Sequence, residues 1–447
     1  MITPIITPGI ARLIEEPHEL HELVSREGAI DLIDLDQYRK NLTVWNEALA
    51  EHRVETYLAH KATKSPAVLR ATLEAGTGID VSSLGELESA LNAGFTAERI
   101  ECTGPKNNAF LARAASLGCL ISIDSIEELE RLRALDTPIR ILIRIANPTV
   151  PGRTVIGKRT KFGVRREQLS RAYELLRGTS VVLEGFHVHM DGMDPEMRAG
   201  ITEGLIELII EARENGHRAT RINLGGGIKA PRMRGTDAWQ RLMQEYEREV
   251  LSRNHTRTWD RKAYGMYIGT RGTIEGRAIA EMPALTSDPI TYIQSYFGSR
   301  TSSEATIAQL IFETDITLML EPGTSLLADT GASIVRVIGV KDEEIPLVVC
   351  DANMFTIGTR MLEPLADPVL ISEQPDEAFE AFLAGNLCRE DDILMQRSIT
   401  LPKRPTNGDL LIFTARGAYQ TYEQGNPQLQ STPTRYVLDR GDLRRDE

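Results

Sequence analysis

One rhythm constrains this chain more than any other feature. Between residues 55 and 321, short apolar runs alternate eight times with segments of helical period. The runs are TYLA (56–59), GIDV (78–81), IECT (100–103), LISID (120–124), RILIRIA (140–146), LEGFHVHM (183–190), RINLG (221–225) and TLMLE (317–321). Short apolar runs bounded by polar residues suit strands buried on both faces. Between most of them lie amphipathic stretches such as SPAVLRATLEAG (65–76), LGELESALNAG (84–94) and IEELERLRAL (126–135). Ser125 and Glu128 form a capping-box start for the last of these. Eight strand-then-helix units predict an α/β fold, a (β/α)8 TIM-type barrel whose functional side chains come from the carboxyl ends of its strands.

After residue 330 the rhythm changes. ASIVRVIGVK, IPLVVCD, GDLLIFT and TRYVLDR read as strands separated by turns. At 447 residues the chain is too long for one ordinary core. The expected division is a barrel over 36–325 and an all-β domain over 326–447, joined by the opening segment 1–35, whose GAIDLIDLD reads as a strand. An excursion at about 229–300 is too long for one βα connection and carries Trp239 and Trp259. A cover over the barrel mouth, a disordered stretch and a dimer arm are all open readings of it.

The net charge of −13 is spread along the chain, so neither nucleic acid nor an anionic membrane is an expected partner. The opening MITPIITPGIARLIEEP has no basic stretch and two prolines in its apolar part, and no run is long enough to span a bilayer. Cys102, Cys119, Cys350 and Cys388 show no CxxC and no metal spacing. The expectation is a cytoplasmic protein with reduced thiols and no metal.

The strand ends carry residues that a core does not need. Lys61 follows the first run, although a solvated lysine is the default reading and Lys64 competes for any role. His187 and His189 alternate at the end of the sixth, and His187 reads as a packed barrel residue. Gly225, Gly226 and Gly227 follow the seventh, either an ordinary tight turn or a loop whose amides approach an anion. Glu321 ends the eighth at a Pro-Gly turn. A lysine, an imidazole, a phosphate cup and a carboxylate on one barrel together suit pyridoxal 5'-phosphate, which needs an amine for its aldehyde, donors for its phosphate and a charge partner for its ring nitrogen.

These motifs resemble those of the fold-type III pyridoxal-phosphate decarboxylases, the diaminopimelate, ornithine and arginine decarboxylases, on an alanine racemase-like barrel. HKAT, GIDVSSLGELESALNAG, TGPKNN, TKFGV, HVHM, LGGGI, EPGTSLL, LCREDD and RGAYQ follow one another in the family's order. The resemblance implies that Lys61 holds the cofactor as an aldimine, His189 stacks on its ring and Glu321 pairs with the ring nitrogen. It implies a phosphate site of Gly225, Gly226, Gly227 and Tyr419, with Asp80 and Arg144 supporting the lysine. Cys388 becomes the acid that protonates the quinonoid carbon, reaching across from a partner subunit. Lys161 and Asp392 match a salt bridge across a homodimer whose active sites are shared between chains.

Departures from the family pattern bear on substrate. His189-Met190-Asp191-Gly192 lacks the family's serine, Thr324 stands where relatives have arginine, and Arg389 stands where they have an acid that reads a distal ammonium. Arg389, Asp351, Thr324 and Asp191 are the candidate substrate contacts. The expected function is decarboxylation of an amino acid or amino-acid derivative, in specialised metabolism, that is not a simple diamine precursor. Two alternatives remain: a racemase or epimerase on the same fold, which Glu321 disfavours, and a cofactor-less binding homologue.

Overall fold

The computed structural model describes residues 1–135, 137–151, 159–254, 257–260, 263–276, 288–357, 364–372, 376–419 and 425–447. The chain forms two units: Met1–Lys40 with Ala230–Ser287 and Leu327–Glu447, and Asn41–Lys229 with Asp288–Leu326.

Strand β1 (Ile30–Asp34) belongs to the first unit, and the next seven open the second. These are β2 (Val54–Ala59), β3 (Gly78–Val81), β4 (Ile100–Cys102), β5 (Leu120–Ile123), β6 (Ile139–Arg144), β7 (Val181–His187) and β8 (Arg221–Asn223). After a short hairpin of β9 (Tyr267–Ile268) and β10 (Ile274–Glu275), β11 (Thr317–Leu320) closes a parallel barrel in the order β11-β2-β3-β4-β5-β6-β7-β8. All eight apolar runs are therefore strands of one barrel. Every residue of GIDV and LISI is buried, as a sheet covered on both faces requires. The helices between them start where the sequence supplies an oxygen: Ser65, Ser83, Asn107, Ser125 and Asp194 each accept a backbone N–H of the first turn. Tyr57, Leu120, Leu142 and Met319 fill the barrel interior. Gly78 leaves room for the Tyr57 ring, which a Cβ there would approach to 2.6 Å.

Strands β6, β7 and β8 end two or three residues before their apolar runs do. Strand β7 ends at His187 and β8 at Asn223, so His189 and Gly225 lie on the connections at the carboxyl ends. That places them at the barrel's functional face.

In the first unit, β12 (Gly331–Lys341), β13 (Leu347–Cys350), β14 (Val369–Ile371), β15 (Phe379–Ala384), β16 (Ile393–Leu401), β17 (Leu410–Phe413), β18 (Thr434–Asp439) and β19 (Asp442–Arg445) join β1 in one sheet of nine. Strand β1 sits between β12, antiparallel, and β18, parallel. The helices Pro8–Glu15 and His18–Glu27 bury Ile10, Leu13, Leu20, Leu23 and Val24 against that sheet. The helix Asp237–Ser252 has its own core: Trp239, Met243, Tyr246 and Val250 pack with Ile2 and Ala366. Trp259 meets Phe382 edge-on at 5.5 Å. This unit thus contains the excursion as far as residue 287, whereas the helices Pro289–Gly298 and Ile307–Glu313 are part of the barrel.

The register of β6 on β7 shifts by one residue between Ile141 and Leu142, where Gly185 lies against the Arg221 carbonyl. No Cβ fits there. Gly185→Ala is expected to cost more than about 3 kcal/mol, because the obstacle is backbone and cannot swing aside. Chemical denaturation of the purified protein measures this, and an unchanged midpoint would contradict it.

Candidate active site

The lysine comes first. Strand β2 ends at Ala59, and one 3-10 turn, His60–Ala62, sets Lys61 at the barrel's carboxyl face. Its Nζ is 3.7 Å from Oδ2 of Asp80, at the end of β3. The competitor, Lys64, is held elsewhere, donating to Glu86 at 2.5 Å and to the His60 carbonyl at 3.1 Å. Asp80 accepts from Thr103 at 2.5 Å. Burial pushes its pKa up to about 7, with Glu321 adding and Lys61 opposing.

Beneath the lysine lies a floor of carboxyls. Asn223 donates from one Nδ2 to Glu321 at 2.8 Å and to both oxygens of Glu101 at 2.7 Å. Its Oδ1 accepts from the Gly225 amide at 2.7 Å. Glu101 and Asp80 are register partners on β4 and β3, so their side chains share one face. Three buried acids in one dry space cannot all be charged. Burial, then Glu321 and Asp80, push Glu101 well above the usual range, which favours its neutral form. Burial also works against the charge of Glu321, but His187, His189 and Lys61 hold it below the usual range.

The two histidines differ in kind. Burial drives His187 down to about 3, so its ring is neutral. Its Nδ1 is 2.6 Å from the Ser122 hydroxyl, which leaves Nε2 turned toward Glu321 Oε1 at 3.4 Å. His187 is therefore part of the site, not only barrel packing. His189 is partly exposed, accepts from the Gly226 amide at 3.2 Å and lies 3.7 Å from Glu321 Oε2. Donor atoms of His187, His189 and Glu321 all lie within 4.8 Å of one another, the one such metal-type grouping among the described residues. Arg144 ends β6 with Asp124 at 3.7 Å and with its guanidinium 4.3 Å from the Phe162 ring centre.

The three glycines form a cradle. Gly225 and Gly227 have φ of +64° and +78°, and Gly226 lies between them with φ outside that left-handed region. A Cβ at any of the three would meet His189, the Glu321 carbonyl or the Met190 carbonyl at 2.5–2.6 Å. Beside it Asp191, the acid that replaces part of the family motif, is paired with Lys229 at 3.5 Å. Thr324 is half-buried in the turn after Glu321.

The remaining candidates belong to the first unit, Lys161 excepted. Cys388 is exposed, and its amide donates to Gln428. Arg389 is bidentate on Asp391, so its guanidinium is neutralised within its own loop. Asp392 is buried and accepts from the amides of Leu387 at 2.8 Å and Met354 at 2.7 Å, which folds the Cys388 loop. Lys161 is exposed, 4.9 Å from the Phe162 ring centre. Asp351 accepts from Asn386 at 3.1 Å and faces Arg336 at 3.7 Å. Tyr419, at φ +66°, follows the buried Arg416, which donates to Ser333 and to the carbonyls of Thr356 and Ile357.

Sequence reasoning missed Glu101, Asn223 and Ser122. Each is a polar residue within an apolar run, and only the inward phase of its strand marks it.

Known proteins can now be compared. A family model described as "Pyridoxal-dependent decarboxylase, pyridoxal binding domain" matches residues 35–258, half of the chain. The chain belongs to this family. It is 27% identical over 443 residues to the uncharacterized protein y4yA of Sinorhizobium fredii, covering 94% of this chain and 90% of that one. It is 26% identical over 422 residues to a probable chloroplastic diaminopimelate decarboxylase of Oryza sativa, covering 90% and 73%. Among solved structures, the diaminopimelate decarboxylase of M. jannaschii in complex with L-lysine superposes with a TM-score of 0.74 at 20% identity, covering 96% and 91%. That likeness establishes the fold.

For a fold-type III decarboxylase, the residues present suit pyridoxal phosphate. The glycine cradle has no room for side chains, and Asp80 keeps a buried Oδ2 without a hydrogen bond toward Lys61. The raised pKa of Glu101 has a further consequence. The folded state keeps a proton that the unfolded chain loses, so this group's contribution to stability falls as pH rises above the usual glutamate value. Glu101→Gln removes that dependence. The variant is expected to gain relative to the parent between pH 5 and pH 8, by at most about 1.4 kcal/mol per pH unit. Denaturant melts of the apoprotein across pH measure it, and parallel curves for the two proteins would contradict a neutral Glu101.

Proposed function

We propose that this protein is a pyridoxal-phosphate-dependent decarboxylase acting on an amino acid or derivative whose side group is not a free ammonium. The observation that carries this reading is the Glu321 carboxylate, buried and held ionised beside His189. When bound, the cofactor supplies an electron sink for the pair left behind as CO2 departs, and an acid facing the ring nitrogen keeps that sink strong. A racemase has no need of such a partner.

The chain's own residues divide the remaining work. Lys61 must shed a proton before it can act as a nucleophile, and Asp80 Oδ2, 3.7 Å away, is the acceptor within reach. His189, held by the Gly226 amide, offers a flat face for stacking. The glycine loop takes the phosphate, with Tyr419 as a further donor. Cys388, exposed on its loop, serves as the acid that returns a proton to the substrate carbon, supplied by the second copy in a homodimer. The Lys161–Asp392 pair and a cytoplasmic location belong to the same reading.

The pairing of Arg389 bears on the side group. A lone guanidinium next to Cys388 would draw an anion, but Arg389 is bidentate on Asp391. A neutralised pair neither attracts an anion strongly nor reads an ammonium. Neutral or acylated side groups fit best.

The test begins with absorption spectra of parent and Lys61→Ala with pyridoxal phosphate. The parent is expected to show a visible band that borohydride removes and the variant cannot form. A panel of amino acids and N- or side-chain-acylated derivatives is then assayed for CO2, and release is expected from an acylated member. Deuterium uptake from solvent without CO2 would overturn the decarboxylase reading in favour of racemisation. Cys388→Ala is expected to keep the visible band and lose roughly 10²-fold in product formation. An unaltered rate would remove Cys388 from the chemistry.

A further inference from the structure

The helix Pro195–Glu214 carries Arg198, which is 1% exposed. All of its hydrogen-bond partners are neutral: Nη1 donates to the Leu224 carbonyl at 3.2 Å, Nη2 to the Gly226 carbonyl at 2.7 Å and Nε to the Tyr292 hydroxyl at 2.9 Å. Among the described residues no carboxylate forms an ion pair with it. Glu196, the acid nearest in sequence, is exposed, and Asp194 spends an oxygen on capping the same helix through the Met197 amide. A permanent charge buried without a counter-ion costs several kcal/mol, so its presence calls for an anion.

The geometry says where that anion sits. A trans peptide points its C=O and N–H in opposite directions, and the described residues include no cis bond. The guanidinium grips the C=O of the Gly226–Gly227 peptide, so the Gly227 N–H points away from Arg198. Hydrogen bonding at the oxygen polarises the peptide and strengthens that N–H as a donor. The Gly227 amide has no hydrogen-bond partner among the described residues, whereas those of Gly225 and Gly226 are taken by Asn223 and His189. Gly225 and Gly227 are left-handed and Gly226 is not, so the loop's backbone turns sharply on either side of that peptide. The positive charge thus lies on one side of a single peptide layer, and an unused donor faces the other.

We infer that Arg198 is the cationic determinant of phosphate recognition in this protein, acting through the Gly226–Gly227 peptide rather than by touching the anion. It fills the electrostatic place left by Thr324 and Gly192, where relatives carry donors. Lys229 pairs with Asp191 at 3.5 Å and so offsets an acid beside the loop. The inference rests on the pyridoxal-phosphate reading for its ligand, and on the loop's geometry for its residue.

The test compares pyridoxal phosphate with pyridoxal, which has the aldehyde but not the phosphate, by visible titration of the apoprotein. The parent is expected to prefer the phosphorylated form by at least 10²-fold. Arg198→Met is expected to lose most of that preference while binding pyridoxal as the parent does, and Arg198→Lys to recover part of it. A variant that weakens both ligands equally would make Arg198 merely structural, and one that keeps the full preference would remove it from recognition; either overturns the inference. A parent that binds neither aldehyde would overturn the cofactor reading itself, and the inference with it. Because Arg198→Met could fail to fold, the parent apoprotein is also melted in inorganic phosphate and in chloride at equal ionic strength. Phosphate-specific stabilisation that Arg198→Lys reduces is the expected result, and equal effects of the two salts would count against an anion site.

Discussion

One amide group organises the floor of this barrel. The Asn223 side chain donates hydrogen bonds to Glu321 and to Glu101, and accepts one from the Gly225 amide. It therefore links a charged acid, a neutral acid and the first residue of the glycine loop in one buried network. Removing any member leaves the others with unmet hydrogen bonds in a dry interior, where that loss is most costly. The arrangement also settles which acid bears the charge. Glu321 faces two imidazoles and Lys61, whereas Glu101 faces Asn223 and two other carboxyls.

Much of this was legible in the sequence, for a physical reason. A parallel barrel buries both faces of each strand, so its strands appear as apolar runs, and caps and glycines punctuate the helices between. That is why GIDV and LISI could be assigned from composition alone. Lys61, His189 and Glu321 could be singled out because they stand at the ends of such runs, where a core has no use for them. Lys61 could not be separated from Lys64 on that basis. The distinction depends on Glu86, which holds Lys64, and a partner 22 residues away leaves no local signal.

The rest was hidden for equally definite reasons. Glu101 and Asn223 look like blemishes in apolar runs until the barrel closes and brings β4 and β8 together across its interior. His187 read as packing because burial is what it shares with packing residues; only Ser122 and Glu321 distinguish it. Arg389 and Asp392 show what spacing alone leaves out. Arg389 is bidentate on Asp391 within its own loop, whereas Asp392 accepts from the nearby Leu387 amide and from that of Met354, 38 residues away. Short-range partners of a charged residue cannot be ranked against distant ones by spacing alone.

The grip of Arg198 joins two points far apart in the chain. Gly226 lies just before the barrel chain departs at Lys229, and Tyr292 lies just after it returns at Asp288. Tyr292 is itself tied to the Met193 carbonyl, and the adjacent helical turn is held by Tyr296 on Thr202. The excursion is thus stapled at its base. Its ends are fixed by side chains of the barrel, so insertions, deletions and drift between them need not be felt at the glycine loop. Such a clasp makes the intervening stretch an evolvable module, free to vary while the two barrel ends that it joins stay in register.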